Sequence, residues 1–227
     1  MLIRIALCMT LALCLFAPAR ASELEGDQLY RVSTVRAAPG SFPQLLEQIA
    51  SLNTSKRPPL VMRHSQGDQW DLLIIEAIKP PEAMIASFLA QLDTLIAFEE
   101  DHFAYGPPWE AVKSAYNDNS FYHIEMFQAL AGKADDLLEE RRMENAYLSA
   151  TGLTPNMIFR RAAGSDVDIF TIGFHKDIEA FAAASDISDE DKEAAAIEAG
   201  FKARSDISFY LRTLISSHHD TLAVKAN

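Results

Sequence analysis

Tyr30-Arg-Val-Ser-Thr-Val-Arg-Ala-Ala-Pro-Gly40 and Tyr122-His-Ile-Glu-Met-Phe-Gln-Ala-Leu-Ala-Gly132 are one stretch written twice. Tyrosine, alanine and glycine coincide, and the match runs on into Leu45, Leu46 and Glu47 over Leu137, Leu138 and Glu139. A second block follows at a slightly different offset. Pro58, Arg63, Gly67 and Asp71 fall on Pro155, Arg160, Gly164 and Asp168 with the same internal spacing. Two unrelated amphipathic segments rarely keep a proline, a glycine and a charge pair in register, so the chain is read as an internal duplication.

Each copy has the same grammar. An alternating strand (29–36; 121–128) ends at Gly40 or Gly132, which opens a helix (41–52; 133–148). Two β-rich runs then fold about Gly67 or Gly164 as a hairpin. In the first copy Pro80-Pro81 starts a helix whose apolar residues, Met84, Ile85, Phe88, Leu89 and Leu92, keep a 3.6-residue period. The second copy inserts an acidic, alanine-rich stretch (186–203) before a helix bearing Ile207, Tyr210, Leu211, Leu214 and Ile215. Short strands, Asp101–Tyr105 and Asp220–Val224, complete the copies, and Gly106-Pro107-Pro108 with a short helix to about Asn119 joins them. This predicts an α+β chain of two tandem ferredoxin-like βαββαβ repeats, 22–119 and 120–227.

Tandem units of this order resemble the dimeric α+β barrel superfamily, which includes antibiotic-biosynthesis-type monooxygenases, haem-degrading monooxygenases, the NIPSNAP group and the chlorite dismutase group. The resemblance implies two sheets facing each other around a lumen, here within one duplicated chain. It covers the chain after residue 21 and rests on topology and repeat. No catalytic motif of any member is present, so it carries over no functional residue. Chlorite-dismutase-like members hold haem iron with a histidine, and no histidine here stands in a matching context. The cofactor stays unknown: haem or a metal is compatible with the superfamily but unsupported by motif.

The N-terminus reads as a secretory signal peptide, 1–21. Arg4 supplies the positive start, Ile5 to Phe16 the apolar run, and Ala19-Arg20-Ala21 the small-x-small pattern, with cleavage expected before Ser22. The run is shorter than the roughly 20 residues of a spanning helix. Both cysteines, Cys8 and Cys14, lie inside it, so the mature chain carries no disulfide chemistry into a periplasmic or extracellular compartment. Removing Arg4 and Arg20 leaves 18 of the 20 basic residues against 32 acidic ones, a formal charge of −14. Such a surface repels phosphate backbones and anionic lipid, which argues against nucleic-acid and membrane partners for the mature protein; a homo-oligomer is compatible with it. Asn53-Thr-Ser55 is a formal glycosylation sequon that the bacterial character of the signal discounts.

Strand alternation assigns the faces. Tyr30, Val32 and Thr34, with Tyr122, Ile124 and Met126, are expected to cover the helices. The mixed face, Arg31, Ser33 and Val35 with His123, Glu125 and Phe127, is expected to line the lumen. Trp70 and Glu76 in the third strand, with Thr171 and His175 in its repeat, join them. Buried polar groups are costly unless partnered, so this face carries the candidate site. His123, His175, Glu125 and Arg31 are the catalytic candidates, a histidine beside a carboxylate being an acid/base couple near neutral pH. Trp70, Glu76, Ser33, Phe127 and Thr171 are the ligand-binding candidates.

Other polar residues read as structural. Arg63 with Asp71, and Arg160 with Asp168, stand four residues either side of a turn glycine, as cross-strand pairs worth under about 1 kcal/mol. Arg141 and Asn145 continue the Leu137 and Leu138 stripe and are assigned to packing, their ends snorkelling. His218, His219 and Asp220 form a weak metal alternative, placed at a helix-to-strand turn where adjacent imidazoles diverge.

Two functions from different classes fit. One is a small-molecule oxidoreductase, monooxygenase-like, with His123 or His175 moving a proton, Glu125 orienting it and Arg31 holding a substrate oxygen in the lumen. The other is a non-catalytic periplasmic binding protein for a small apolar or aromatic ligand. A lumen filled by Trp70, Phe127 and Ile169 would leave only a structural role.

Overall fold

The structure, a computed structural model, describes residues 21–51, 58–78 and 88–226. The signal before residue 21, the sequon at Asn53 and the helix start at Pro80-Pro81 with Met84 and Ile85 lie outside the described residues. A helical turn, α1 (Ala21–Leu24), precedes the first half: β1 (Gln28–Ala37), α2 (Phe42–Ser51), β2 (Leu60–Gln66), β3 (Leu72–Ala77), a 3-10 segment (Phe88–Leu95) and β4 (Ile96–Gly106). A connecting helix, α3 (Trp109–Asp118), leads into the second half. That half runs β5 (Phe121–Ala129), α4 (Ala134–Ala150), β6 (Met157–Ala163), β7 (Ile169–His175), α5 (Ile178–Ala182), α6 (Asp189–Glu198), α7 (Ile207–Arg212) and β8 (Ile215–Lys225). Among the described residues no helix is long and apolar enough to cross a membrane.

The strands form one closed barrel in the order β1-β3-β2-β8-β5-β7-β6-β4. Each half contributes the ferredoxin-like order, β4-β1-β3-β2 and β8-β5-β7-β6, and every pairing is antiparallel. The halves join where β2 meets β8, with His64 opposite Ala223, and where β4 meets β6, with Tyr105 opposite Arg160. Closure of this kind leaves no sheet edge to aggregate.

The duplicated residues explain the geometry. Backbone N–H groups of Ala37 and Ala129 donate to the Asp71 and Asp168 carboxylates, 2.8 Å each, at matching bulges in β1 and β5. The aspartates are therefore structural, but their partner is the bulge. Arg161 bridges Asp168 at 2.6 Å, and Arg160 turns away to Asp27. The turn glycines tuck against the other half. A Cβ on Gly67 would lie 2.1 Å from the Asp220 carbonyl oxygen, and one on Gly164 would lie 3.1 Å from that of Asp101.

The faces are the reverse of the sequence-based assignment. Tyr30, Val32, Met62, Leu73 and Ile75 of one half pack with Tyr122, Ile124, Phe159, Phe170 and Ile172 of the other in a single cluster, which fills the barrel. Val112 of α3 joins it, with Trp109, Ala111 and Ala115 packed alongside. Phe159 stacks on Phe170 at 4.5 Å, in space that Gly106 leaves open. The face that carries Val35, Leu72 and Ile74 packs instead on Leu45 and Ile49 of α2. Phe127 and Ile169 likewise pack on Leu137 and Leu211. The reason is solvation. A lumen enclosed by two sheets is drier than a sheet face only partly roofed by helices, so the more apolar face turns inward.

Gly67 has φ +127°, whereas Gly40, with φ +81°, stands in open space where a Cβ would meet nothing within 4 Å. Gly40→Ala should therefore cost only its backbone strain, about 1 kcal/mol, whereas Gly67→Ala should cost about 3 kcal/mol or more because the β2–β3 turn must lift off β8. Urea unfolding of the two variants checks this ordering; equal losses would mean that the turn does not bear on the closure.

Candidate active site

A polar cluster lies outside the barrel, between the second sheet and α4. β5 sends His123 and Glu125 outward two residues apart, and β8 sends His218 and Asp220 outward beside them, Glu125 standing opposite Asp220 in the ladder. β7 adds Thr171 opposite Glu125 and Gly173 opposite His123. Helix α4 roofs them with Glu140, Arg141 and Glu144. The His123 Nε2 lies 2.8 Å from Asp220 Oδ1, and the Thr171 hydroxyl donates to Glu125 Oε2 at 3.1 Å. His218 Nε2 lies 3.4 Å from Glu125 Oε1 and 3.6 Å from Asp220 Oδ2.

Arg141 organises the roof. Its Nε and Nη2 donate to both Glu140 oxygens at 2.6 and 2.8 Å, and its Nη1 donates to Glu144 at 2.6 Å and lies 3.8 Å from Glu125. Its guanidinium covers the Phe127 ring at 4.7 Å, and the His218 ring stacks on the same phenyl. Arg141 is 2 % exposed, so it does not snorkel to water. Asn145 is the packing residue expected: its amide exchanges hydrogen bonds with the Asn156 backbone at 2.8 and 2.7 Å.

Electrostatics follow from this crowding. Burial opposes charge on His123, but the Asp220 hydrogen bond, with Glu125 and Glu144 nearby, raises its pKa overall. Burial also opposes the Glu125 carboxylate, and His218, Arg141 and His123 more than compensate, holding it low. The His123 hydrogen bond holds Asp220 below the usual range. Burial pushes Glu144 up against the pull of Arg141. Burial likewise pushes Glu140 up to about 7, with Arg141 opposing and Glu144 adding to the rise.

The expected residues divide into groups. His123, Glu125 and Thr171 meet in this cluster, and His175 adjoins it: its ring and that of His123 both contact Phe181 of α5, at 5.3 and 5.1 Å. Phe127 is fully buried beneath Arg141 rather than lining a lumen. Arg31, Ser33 and Glu76 do not join them. They lie on the outer face of the other sheet, where Asp101 accepts from both Arg31 and Ser33 and Glu76 stands opposite Arg31. Burial pushes Glu76 up, and Arg31 offsets part of that. Trp70 is inside the barrel against His64, ring centroids 5.6 Å apart. The metal alternative of His218, His219 and Asp220 also separates. These residues are mid-strand, not at a turn, so His219 faces away toward Asp68, 3.9 Å distant. Sequence reading missed Glu140, Arg141 and Glu144 as site residues. Three charges at positions 140, 141 and 144, beside a buried Leu137, were the available signal, since i+3 and i+4 share a helix face.

The sequence matches no protein-family model and no curated protein. Solved structures do match. An anthrone oxidase-like protein superposes with TM-score 0.61 at 9 % identity, over 89 % of this chain and 92 % of its own. A protein from Fusobacterium nucleatum assigned as a monooxygenase gives 0.55 at 8 % identity, over 89 % and 94 %. Another so assigned, from Lactobacillus acidophilus, gives 0.52 at 10 %, over 88 % and 95 %. The fold is the dimeric α+β barrel. Identities this low establish the fold and nothing about the reaction.

The Glu140 carboxyl carries a testable pH signature. With its folded pKa raised from about 4.5 to about 7, the native state holds a proton that the unfolded chain has released, so stability falls as pH rises through that window. The unfolding free energy of the parent should drop relative to Glu140→Gln by roughly 1–3 kcal/mol between pH 4.5 and 7.5. Urea titrations across that range test it; a pH-independent offset between the two would mean Glu140 stays ionised against Arg141.

Proposed function

We propose that the chain is an exported small-molecule oxidoreductase of monooxygenase type, whose reacting centre is the His123, Glu125, His218 and Asp220 cluster rather than the lumen. The observation that carries the reading is His123 held on Asp220 at 2.8 Å, beside the nearly buried Glu125, with the imidazole still partly open to solvent. A histidine so oriented accepts a proton from a bound substrate. Phe181 and Phe121 give the neighbouring surface an aromatic lining.

Anthrone-like aromatics suit such a centre, since a CH2 flanked by two aryl rings and conjugated to a carbonyl loses a proton readily. The anthrone oxidase-like neighbour supports that substrate class. His123 takes one proton, the carbanion passes electrons to O2, and the resulting peroxide loses water. One O2 is consumed; one oxygen atom becomes the new ketone, and the other leaves as water with the two hydrogens of the CH2. With anthrone as probe in an oxygen electrode, His123→Ala should cut the rate by about 100-fold or more while its unfolding transition stays cooperative. Unchanged oxygen uptake would overturn the role of His123.

A second reading, a non-catalytic periplasmic small-ligand-binding protein, draws on a cavity of about 230 Å³ where the two halves meet, lined by Leu46 and Ile49 of α2, Val61 of β2, Tyr116 of α3 and Lys225 of β8. An apolar ligand with an anionic end fits that lining. Native mass spectrometry of protein from its own host should then retain such a ligand, and Lys225→Ala should release it; a bare protein in repeated preparations would count against it.

A further inference from the structure

We infer that His123, Glu125 and Asp220, flanked by His218, form a binding site for one divalent first-row transition-metal ion. The duplication supplies the argument. β1 and β4 of the first half carry the same ladder: Ser33 stands opposite Asp101 as Glu125 stands opposite Asp220, and Val35 opposite Glu99 as Phe127 stands opposite His218. In the first half the cation is covalently built in, since Arg31 bonds Asp101 and reaches Glu99 at 3.4 Å. In the second half the aspartate is kept, while Arg31, Glu99 and Ser33 are replaced by His123, His218 and Glu125. The guanidinium position is taken by an imidazole, and His123 converges with two carboxylates where the first half has an ion pair, with His218 beside them.

The distances fit an ion. Ligand atoms about 2.0–2.2 Å from a metal lie about 3.3–3.6 Å apart at tetrahedral angles. His218 Nε2 is 3.4 Å from Glu125 Oε1, a long hydrogen bond, and 3.6 Å from Asp220 Oδ2, both of the length of coordination edges. The ligating atoms of His123, Glu125 and Asp220 all lie within 4.8 Å of one another. Asp220 turns Oδ1 to His123 of β5, in a 2.8 Å hydrogen bond that the ion would replace, and Oδ2 to His218 on its own strand. Arg141 does not take the place of the ion. It spends its donors on Glu140 and Glu144 at 2.6–2.8 Å and stands 3.8 Å from Glu125 Oε2, the oxygen turned away from His218. An imidazole with two carboxylates, and a second imidazole alongside, favours Zn2+, Fe2+ or Co2+ over Mg2+ or Ca2+.

The site rests on the oxidoreductase reading only for a catalytic role. With the ion bound His123 is a ligand, and without it His123 is the free base of that reading. Co2+ is the probe because its visible d–d absorption reports low-symmetry coordination. Titration of the purified protein with Co2+ should saturate at one equivalent, and Zn2+ should abolish the band. His218→Ala and Asp220→Ala should each weaken Co2+ binding by about 10–100-fold. His219→Ala, on the opposite face, should leave it unchanged. Absence of saturable Co2+ binding to the wild-type protein, or full binding by both His218→Ala and Asp220→Ala, overturns the site. Anthrone-dependent oxygen uptake in EDTA separates the proposals: uptake that persists without Co2+ binding sinks the metal site alone, and Co2+ binding without uptake at any loading sinks the oxidoreductase alone.

Discussion

Barrel closure is the constraint from which the rest follows. Neither half is self-sufficient, because β2 and β4 are edges of the first sheet and β8 and β6 of the second, and each edge finds its partner in the other half. Closing the ring requires the β2–β3 and β6–β7 turns to lie directly on β8 and β4. Gly67 and Gly164 allow that contact, since a side chain at Gly67 would meet the carbonyl of Asp220. The same carbonyl belongs to a residue of the candidate site, so the strand that seals the barrel also presents the cluster.

Closure decides where chemistry can occur. The interior is enclosed by two sheets and packed against α3, and its side chains come from all eight strands. Even a histidine there is held neutral: burial pushes His102 down to about 4, against the pull of Asp101. Charged chemistry is thereby expelled to the outer faces, where helices roof the sheets incompletely and water can reach the rim. The two outer faces then diverged. Ile49 of α2 packs on aliphatic strand residues in the first half, and the repeat-equivalent Arg141 of α4 brings a buried guanidinium and two glutamates over the second. That asymmetry between duplicated halves is the reason the proposed site is placed in the second.

Topology was legible in the sequence because duplication doubles every signal. Strand, helix and hairpin each appear twice, and the glycines at 40 and 132, and at 67 and 164, all have positive φ as turn residues do. Face assignment was not legible. Alternation says that two faces differ and not which one is enclosed, and both faces of β1 and β5 contain buried apolar residues. His123, Glu125 and Thr171 were found because an imidazole and a carboxylate two residues apart must share a face. Their grouping with Arg31 and Trp70 failed because a shared face within a strand does not imply a shared space between sheets. Arg141 was misread because a long cation at a stripe's edge usually reaches water, and here Glu140 and Glu144 meet it first.

The duplication also separates scaffold from site. Asp71 and Asp168 do the same thing in both halves, accepting a backbone N–H at a bulge, and a residue that performs one task twice is scaffold. Asp101 and Asp220 hold the same ladder position but keep different company: a guanidinium and a serine hydroxyl in one case, an imidazole and a second carboxylate in the other. The aspartate is thus retained while its partners change from a permanent cation to titratable groups. The arginine pair already suffices to neutralise such a carboxylate at that position. Replacing it with imidazoles gives up a fixed charge for groups that can release a proton or bind an ion, and that exchange is why the proposed chemistry is assigned to the second half.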